Sequence, residues 1–166
     1  MSEIIIGIDP GQSGGIAIID SGKMIAFRMP LTERDTWDVL SYRREPHPRI
    51  AYLEKVGPMP KQGVSSTWKF GQHYGMLRAF LIAADIPFET VSPAKWQRAM
   101  GCLTKGDKNV SKRKAQELFP NATICTKTKK ITHAVADAML IAEYGRRLRN
   151  GEIAKNRPMA RRTPNA

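Results

Sequence analysis

At 166 residues, 42% hydrophobic and 25% charged, the chain is one domain of ordinary size that can bury a real core. Its 27 Lys and Arg outnumber 15 Asp and Glu for a formal net charge of +12, which favours a polyanionic partner, nucleic acid ahead of any anionic membrane surface. No apolar run has transmembrane length, no secretion signal opens the chain, and Cys102 and Cys125 lack metal-type spacing. A cytoplasmic protein with reduced thiols, no zinc site and no membrane partner is therefore expected.

Short apolar runs at residues 3–9, 14–20 and 23–29, punctuated by Gly14-Gly15 and Ser21-Gly22, predict a three-stranded meander. A polar stretch from about Glu33 to Arg44 has weak helical character, and Pro46 and Pro48 end it. Residues 49–56 predict a fourth strand. Gly57 to Gly63 holds Pro58 and Pro60 and reads as an exposed loop. A long helix is expected from about Ser65 to Ala84, with Trp68, Leu77, Phe80 and Leu81 near helical spacing and Ser65-Ser66 as caps. Residues 87–91 predict a fifth strand, and Ser92-Pro93 the start of a short helix. Residues 101–112 mix Gly, Lys, Asp and Asn and read as a mobile connection. Two further helices are expected, Val110 to Phe119 and about Thr132 to Arg149. Residues 1–149 thus form the folded domain, and 150–166 a basic tail expected to be disordered. From Arg146 onward seven basic residues face one acid, Glu152, so +6 of the charge lies there and +6 in the rest.

Three acids stand in apolar surroundings. Asp9 ends the strand Ile4-Ile5-Ile6-Gly7-Ile8 and precedes Pro10-Gly11, where the strand has to turn. Glu54 follows Ile50-Ala51-Tyr52-Leu53, and Asp137 follows His133-Ala134-Val135-Ala136. Isolated ionised carboxylates are costly to bury. Three of them in apolar elements suggest one shared site, held together by a cation. In so basic a chain, such a site is that of a metal-dependent nuclease.

Four stretches in order resemble the RuvC family of Holliday junction resolvases, particularly the short versions carried by phages, within the ribonuclease H-like superfamily. Ile6-Gly7-Ile8-Asp9-Pro10-Gly11 with Gly14-Gly15 is similar to the family's first-strand motif, and Tyr52-Leu53-Glu54-Lys55-Val56 to its glutamate strand. Phe70-Gly71-Gln72-His73-Tyr74-Gly75 is similar to the glycine-containing helix that follows, and His133-Ala134-Val135-Ala136-Asp137-Ala138 to the final acidic helix. The resemblance spans roughly residues 3 to 145. It implies an α/β ribonuclease H-like fold with a five-stranded mixed sheet flanked by helices. It also implies phosphodiester hydrolysis with two Mg²⁺ ions, for which Mn²⁺ can substitute. Asp9 would bridge both ions, with Glu54 completing one shell and Asp137 the other. A homodimer on branched DNA follows, in the host cytoplasm if the chain is phage-encoded.

The chain departs from that pattern twice. Many relatives carry two acids on the last helix, whereas here His133 stands one turn before Asp137 and is the candidate fourth ligand or proton shuttle. Asp107 is the alternative fourth ligand. Many cellular members place an aromatic wedge after the catalytic Glu, where this chain has Gly57-Pro58-Met59-Pro60. Candidate DNA contacts are Lys61, Lys95, Lys105, Lys108, Lys112, Arg113 and Lys114, with the tail arginines adding phosphate contacts.

Plainer readings stand beside these. Asp-Pro-Gly is a common turn, Glu54 can be an edge-strand acid paired with Lys55 or Arg49, and His133 can be structural. Trp68, Tyr74, Phe80 and Trp96 read as core or dimer-contact residues. At the level of function, the alternative is a catalytically impaired ribonuclease H-like protein that binds branched or structured nucleic acid without cutting it. An actin-like ATPase or sugar kinase also opens on a strand and an Asp-x-Gly turn, but needs a second duplicated domain for which 166 residues leave no room.

Overall fold

Ile4–Asp9 and Gly15–Asp20 are apolar at nearly every position, so both faces of these strands need cover. The computed structural model describes residues 3–41, 47–57, 63–104, 106–107 and 109–154 and supplies that cover as helical layers on either side of one sheet. Strands β1 (Ile4–Asp9), β2 (Gly15–Asp20) and β3 (Lys23–Arg28) form the expected antiparallel meander. Helix α1 (Glu33–Leu40) leads to β4 (Arg49–Glu54), which pairs parallel with β1. Helix α2 (Val64–Ala83) returns the chain to β5 (Phe88–Val91), parallel with β4. Short helix α3 (Pro93–Ala99), helix α4 (Val110–Leu118), strand β6 (Thr123–Cys125) and helix α5 (His133–Arg149) follow.

The sheet has six strands in the order β5-β4-β1-β2-β3-β6, not five. The extra strand, β6, pairs parallel with β3 through Thr123, Ile124 and Cys125. Three residues are too short to carry a period-two pattern, and only the ladder to β3 makes them a strand. Helix α2 starts one residue early, at Val64, with Gly63 as its N-cap and no side-chain cap bond, so Ser65-Ser66 do not cap it. Ser92 does precede α3 with Pro93 at its start, but likewise without a side-chain bond. Helix α1 ends at Leu40 with Ser41 as its C-cap, short of the expected Arg44. Of the tail expected from residue 150, residues 150–154 are placed, Glu152 accepting from Arg146 at 2.8 Å, and the rest lies outside the described residues.

Alternation along the strands divides the core in two. Ile4, Ile6 and Ile8 of β1, with Ala51 and Leu53 of β4, pack on Leu40, Leu77 and Leu81 of α1 and α2. Ile5 of β1 and Ile50 and Tyr52 of β4 pack on α5, with Trp96 of α3 and Ala115 of α4 beside them. Helix α5 lies very close to the sheet. A Cβ at Gly7 would run into the backbone of Ala138 and Ala142, and one at Gly145 into the Tyr52 ring. The alanines of α5 are what allow this approach. Arg49, fully committed to structure, donates to the carbonyls of Leu40 (3.1 Å) and Ala84 (2.9 Å), tying the ends of α1 and α2 to β4. No helix among the described residues is long and apolar enough to cross a membrane.

Candidate active site

Asp9 is the last residue of β1, and the chain turns back at once. Gly11 sits at φ +107°, and the Gly14 N–H donates to the Gly11 carbonyl at 2.9 Å. A Cβ on Gly14 would collide with the Asp9 carbonyl, so the turn closes only over glycine. Period-two alternation puts Asp9 on the same face as Ile5 and Gly7, the face under α5. Glu54 ends β4 one step beyond the Ile8–Leu53 pair and shares its face with Ile50 and Tyr52. Asp137 lies in the second turn of α5, next to the Ala138 that packs over Gly7. Two neighbouring parallel strand ends and one closely seated helix thus bring the three acids to one end of one face.

The three carboxylates act on one another. Burial first, and then the charges of Glu54 and Asp137, together push Asp9 up to about 8. Glu54 is also raised, first by burial and then by Asp137, against a lowering hydrogen bond from Trp96. Burial raises Asp137 too, while a hydrogen bond from Ser111 and the charge of His133 pull it down. The Trp96 Nε1–H donates to Glu54 Oε1 at 2.7 Å. The two outer acids each have a neutral donor, one on α3 and one on α4. Asp9 carries the largest burden of uncompensated charge.

Three hard carboxylates that repel one another in a half-buried setting fit a divalent cation in donor chemistry. Among the described residues, no three His, Cys, Asp or Glu side chains close around a single point as a metal-holding group.

Two solved structures share this arrangement of strands and helices. One, Thermus thermophilus RuvC in complex with Holliday junction substrate, matches with a TM-score of 0.59 over 90% of this chain and 97% of that chain, at 16% identity. The second, a Thermus thermophilus RuvC structure, matches with a TM-score of 0.55 over 89% of this chain and 96% of that chain, also at 16% identity. The fold is that of RuvC. It is ribonuclease H-like, as the sequence resemblance implied. No protein-family model matches the chain, and no curated protein does either.

On this RuvC fold the remaining candidate residues fall in different places. His133 is the first residue of α5, exposed, one turn before Asp137 and close enough for its charge to act on it. Asp107 is drawn elsewhere: its carboxylate accepts from Arg113 at 2.8 Å and from the Asn109 N–H at 2.9 Å. That also commits Arg113. Lys114 pairs with Glu117 at 3.0 Å. Lys95 and Lys112 are half-buried, each the chain neighbour of a donor to the site, Trp96 and Ser111. Lys61, Lys105 and Lys108, with Met59 and the tail arginines, lie outside the described residues.

Sequence reasoning missed five contributors. Trp96 and Ser111 hold the outer acids, yet a Trp in a short helix reads as core and a Ser at a helix start reads as a cap. On the other side of the 10–13 turn lies a cleft of about 980 Å³ bordered by Arg28, Lys69, Phe70, Gln72 and His73. His73 Nδ1 accepts from the Gly11 N–H at 3.2 Å, which leaves Nε2 to carry the proton, and burial lowers its pKa so that it stays neutral. The cations Arg28 and Lys69 are separated by 41 positions in the chain, and only the fold brings them to one cleft.

Proposed function

We propose that the chain is a metal-dependent, structure-specific DNA endonuclease that resolves Holliday junctions and other branched DNA by paired nicks. The observation that carries this reading is the meeting of Asp9, Glu54 and Asp137 at one end of the β1–β4 strand pair of a RuvC fold, each raised by burial and, for Asp9, by both others. Asp9 would be shared by two Mg²⁺ ions, Glu54 would complete one site and Asp137 the other, with His133 as the fourth ligand. When bound, the ions supply the Lewis acidity that phosphodiester hydrolysis needs, and Mn²⁺ can replace Mg²⁺.

The chain's own residues do the rest. Trp96 and Ser111 orient the outer carboxylates. The apolar floor of Gly7, Tyr52 and the α5 alanines keeps water from the buried side of the site. Lys95 and Lys112 on one side, and Arg28 and Lys69 of the cleft on the other, supply the cationic flanks on which a DNA strand would be held across Asp9.

A homodimer is part of the proposal, since a two-fold protein suits a four-way junction that receives two coordinated nicks. Support comes from α2, which exposes Val64 (88%), Trp68 (68%) and Ile82 (68%), while Gly71 and Gly75 have open space where a side chain would be. The experiment that tests the function is a Mg²⁺-dependent nicking assay on a four-way junction with Asp9→Asn, Glu54→Gln and Asp137→Asn. Each amide variant is expected to bind the junction and not cut it. A variant that cuts at the wild-type rate removes its residue from the site.

A further inference from the structure

Trp96, which the sequence marks as a core or dimer-contact residue, is fully buried on a short helix. Its one polar atom is spent on one oxygen: Nε1–H to Glu54 Oε1, 2.7 Å. An indole N–H is a donor and nothing else, so it serves an oxygen that carries no proton. The rest of the ring is packed among Met100, Cys102 and the α5 residues and has no freedom to turn away. The two elements involved are also tied by backbone. The Lys55 N–H, next to Glu54, donates to the Val91 carbonyl at 2.7 Å, and Val91 leads through Ser92 directly into α3. Donor and acceptor are therefore held in one rigid β4–β5–α3 unit.

The consequence is an allocation of oxygens. With Oε1 held by the indole, Glu54 has Oε2 left to offer. A hydrogen bond from Ser111 of α4 likewise draws the pKa of Asp137 down against its burial. Among the described residues no side-chain donor is bonded to Asp9, which is free to serve two partners at once.

We propose that Trp96 is a positioning residue that reserves Oε1 of Glu54 and directs Oε2 toward a divalent cation shared with Asp9. This rests on the metal-dependent reading above. Ligand orientation by a hydrogen-bonded outer partner typically governs metal affinity or activity by about 10–100-fold.

The test removes the N–H and keeps the ring. Trp96→Phe does this genetically. Replacement of Trp96 by β-(3-benzothienyl)alanine does it with the indole shape preserved, sulfur standing where N–H was. Mn²⁺ binding to the DNA-free protein is followed by electron paramagnetic resonance, beside junction affinity and single-turnover cleavage. Both substituted proteins should bind Mn²⁺ about 10–100-fold more weakly and cut more slowly, with unchanged junction affinity and with partial rescue at high metal concentration. In a Glu54→Gln background the Trp96→Phe change should cost no further Mn²⁺ affinity, because the oxygen it positions is already gone. If the benzothienyl protein folds and binds Mn²⁺ as tightly as wild type, Trp96 only fills the core and the proposal is wrong. Should Trp96→Phe fail to fold, the benzothienyl protein decides alone. Mn²⁺ binding by wild type that Asp9→Asn leaves intact would overturn the metal-site reading itself, and with it this one.

Discussion

Asp9 is the residue with the most uncompensated charge, and its stability signature follows from that. Its folded pKa stands at about 8 against an ordinary 3.8. Between those values the folded chain holds a proton that the unfolded chain has released, so stability falls as pH rises through this window. In EDTA at pH 8, Asp9→Asn should therefore stabilise the protein, by about 1–3 kcal/mol once the amide's own hydrogen-bonding needs are allowed for. Denaturant melts with and without Mg²⁺ measure it: wild type should gain stability with the ion and the variant should not. A variant less stable than wild type in EDTA would mean the carboxylate is already compensated. His133→Ala should lower Mg²⁺-dependent cleavage by more than about tenfold if the imidazole completes a metal shell, and His133→Asp should restore part of it. Normal cleavage by His133→Ala would make the residue structural. The three acids were legible in the sequence because carboxylates are rare in apolar runs. Trp96 was not, because nothing in a sequence says where an indole N–H points.

At the scale of the element, helix α5 against strand β1 is what aligns Asp137 with Asp9. Gly7 faces the backbone of Ala138 and Ala142 with no room for a methyl group. Gly7→Ala should push α5 off the sheet, destabilise by about 3 kcal/mol and reduce cleavage even in the molecules that fold. Calorimetry and a cleavage assay on the folded fraction check both halves. Near the other end of α5, buried Glu143 accepts from Arg146 at 2.7 Å and from Arg147 at 2.7 Å. Burial alone would raise its pKa, but the two guanidiniums overcome this and hold it below the usual range. Its contribution is full above the ordinary carboxylate pKa of about 4.5 and is lost as pH falls through the lower folded value. Glu143→Gln should cost about 1–3 kcal/mol at pH 7, with the deficit vanishing in acid. The β1–β3 meander needed only period and punctuation to be read, with Ser21-Gly22 marking one of its turns. Strand β6 could not be read, since Thr123–Cys125 gains its identity from Ile25–Phe27 across the ladder.

For the whole molecule, the formal net charge of +12 indicated a polyanion from the start, but charge alone gives no path. Arg113 and Lys114, conspicuous in sequence, are paired with Asp107 and Glu117, whereas Arg28 and Lys69 border a cleft beside the Asp9 turn. The exposed apolar side chains of α2 bear on assembly: light scattering at micromolar concentration should give twice the chain mass, and Trp68→Glu should give the monomer. A monomer in wild type, free and with junction DNA, would remove the dimer. Mg²⁺-dependent cleavage of a four-way junction, set beside that of a linear duplex of the same sequence, tests the junction-resolving reading. Paired nicks are expected in the junction, with an intact duplex and neither product from Asp9→Asn. Equal cleavage of both substrates, or junction cleavage that survives Asp9→Asn, would contradict it.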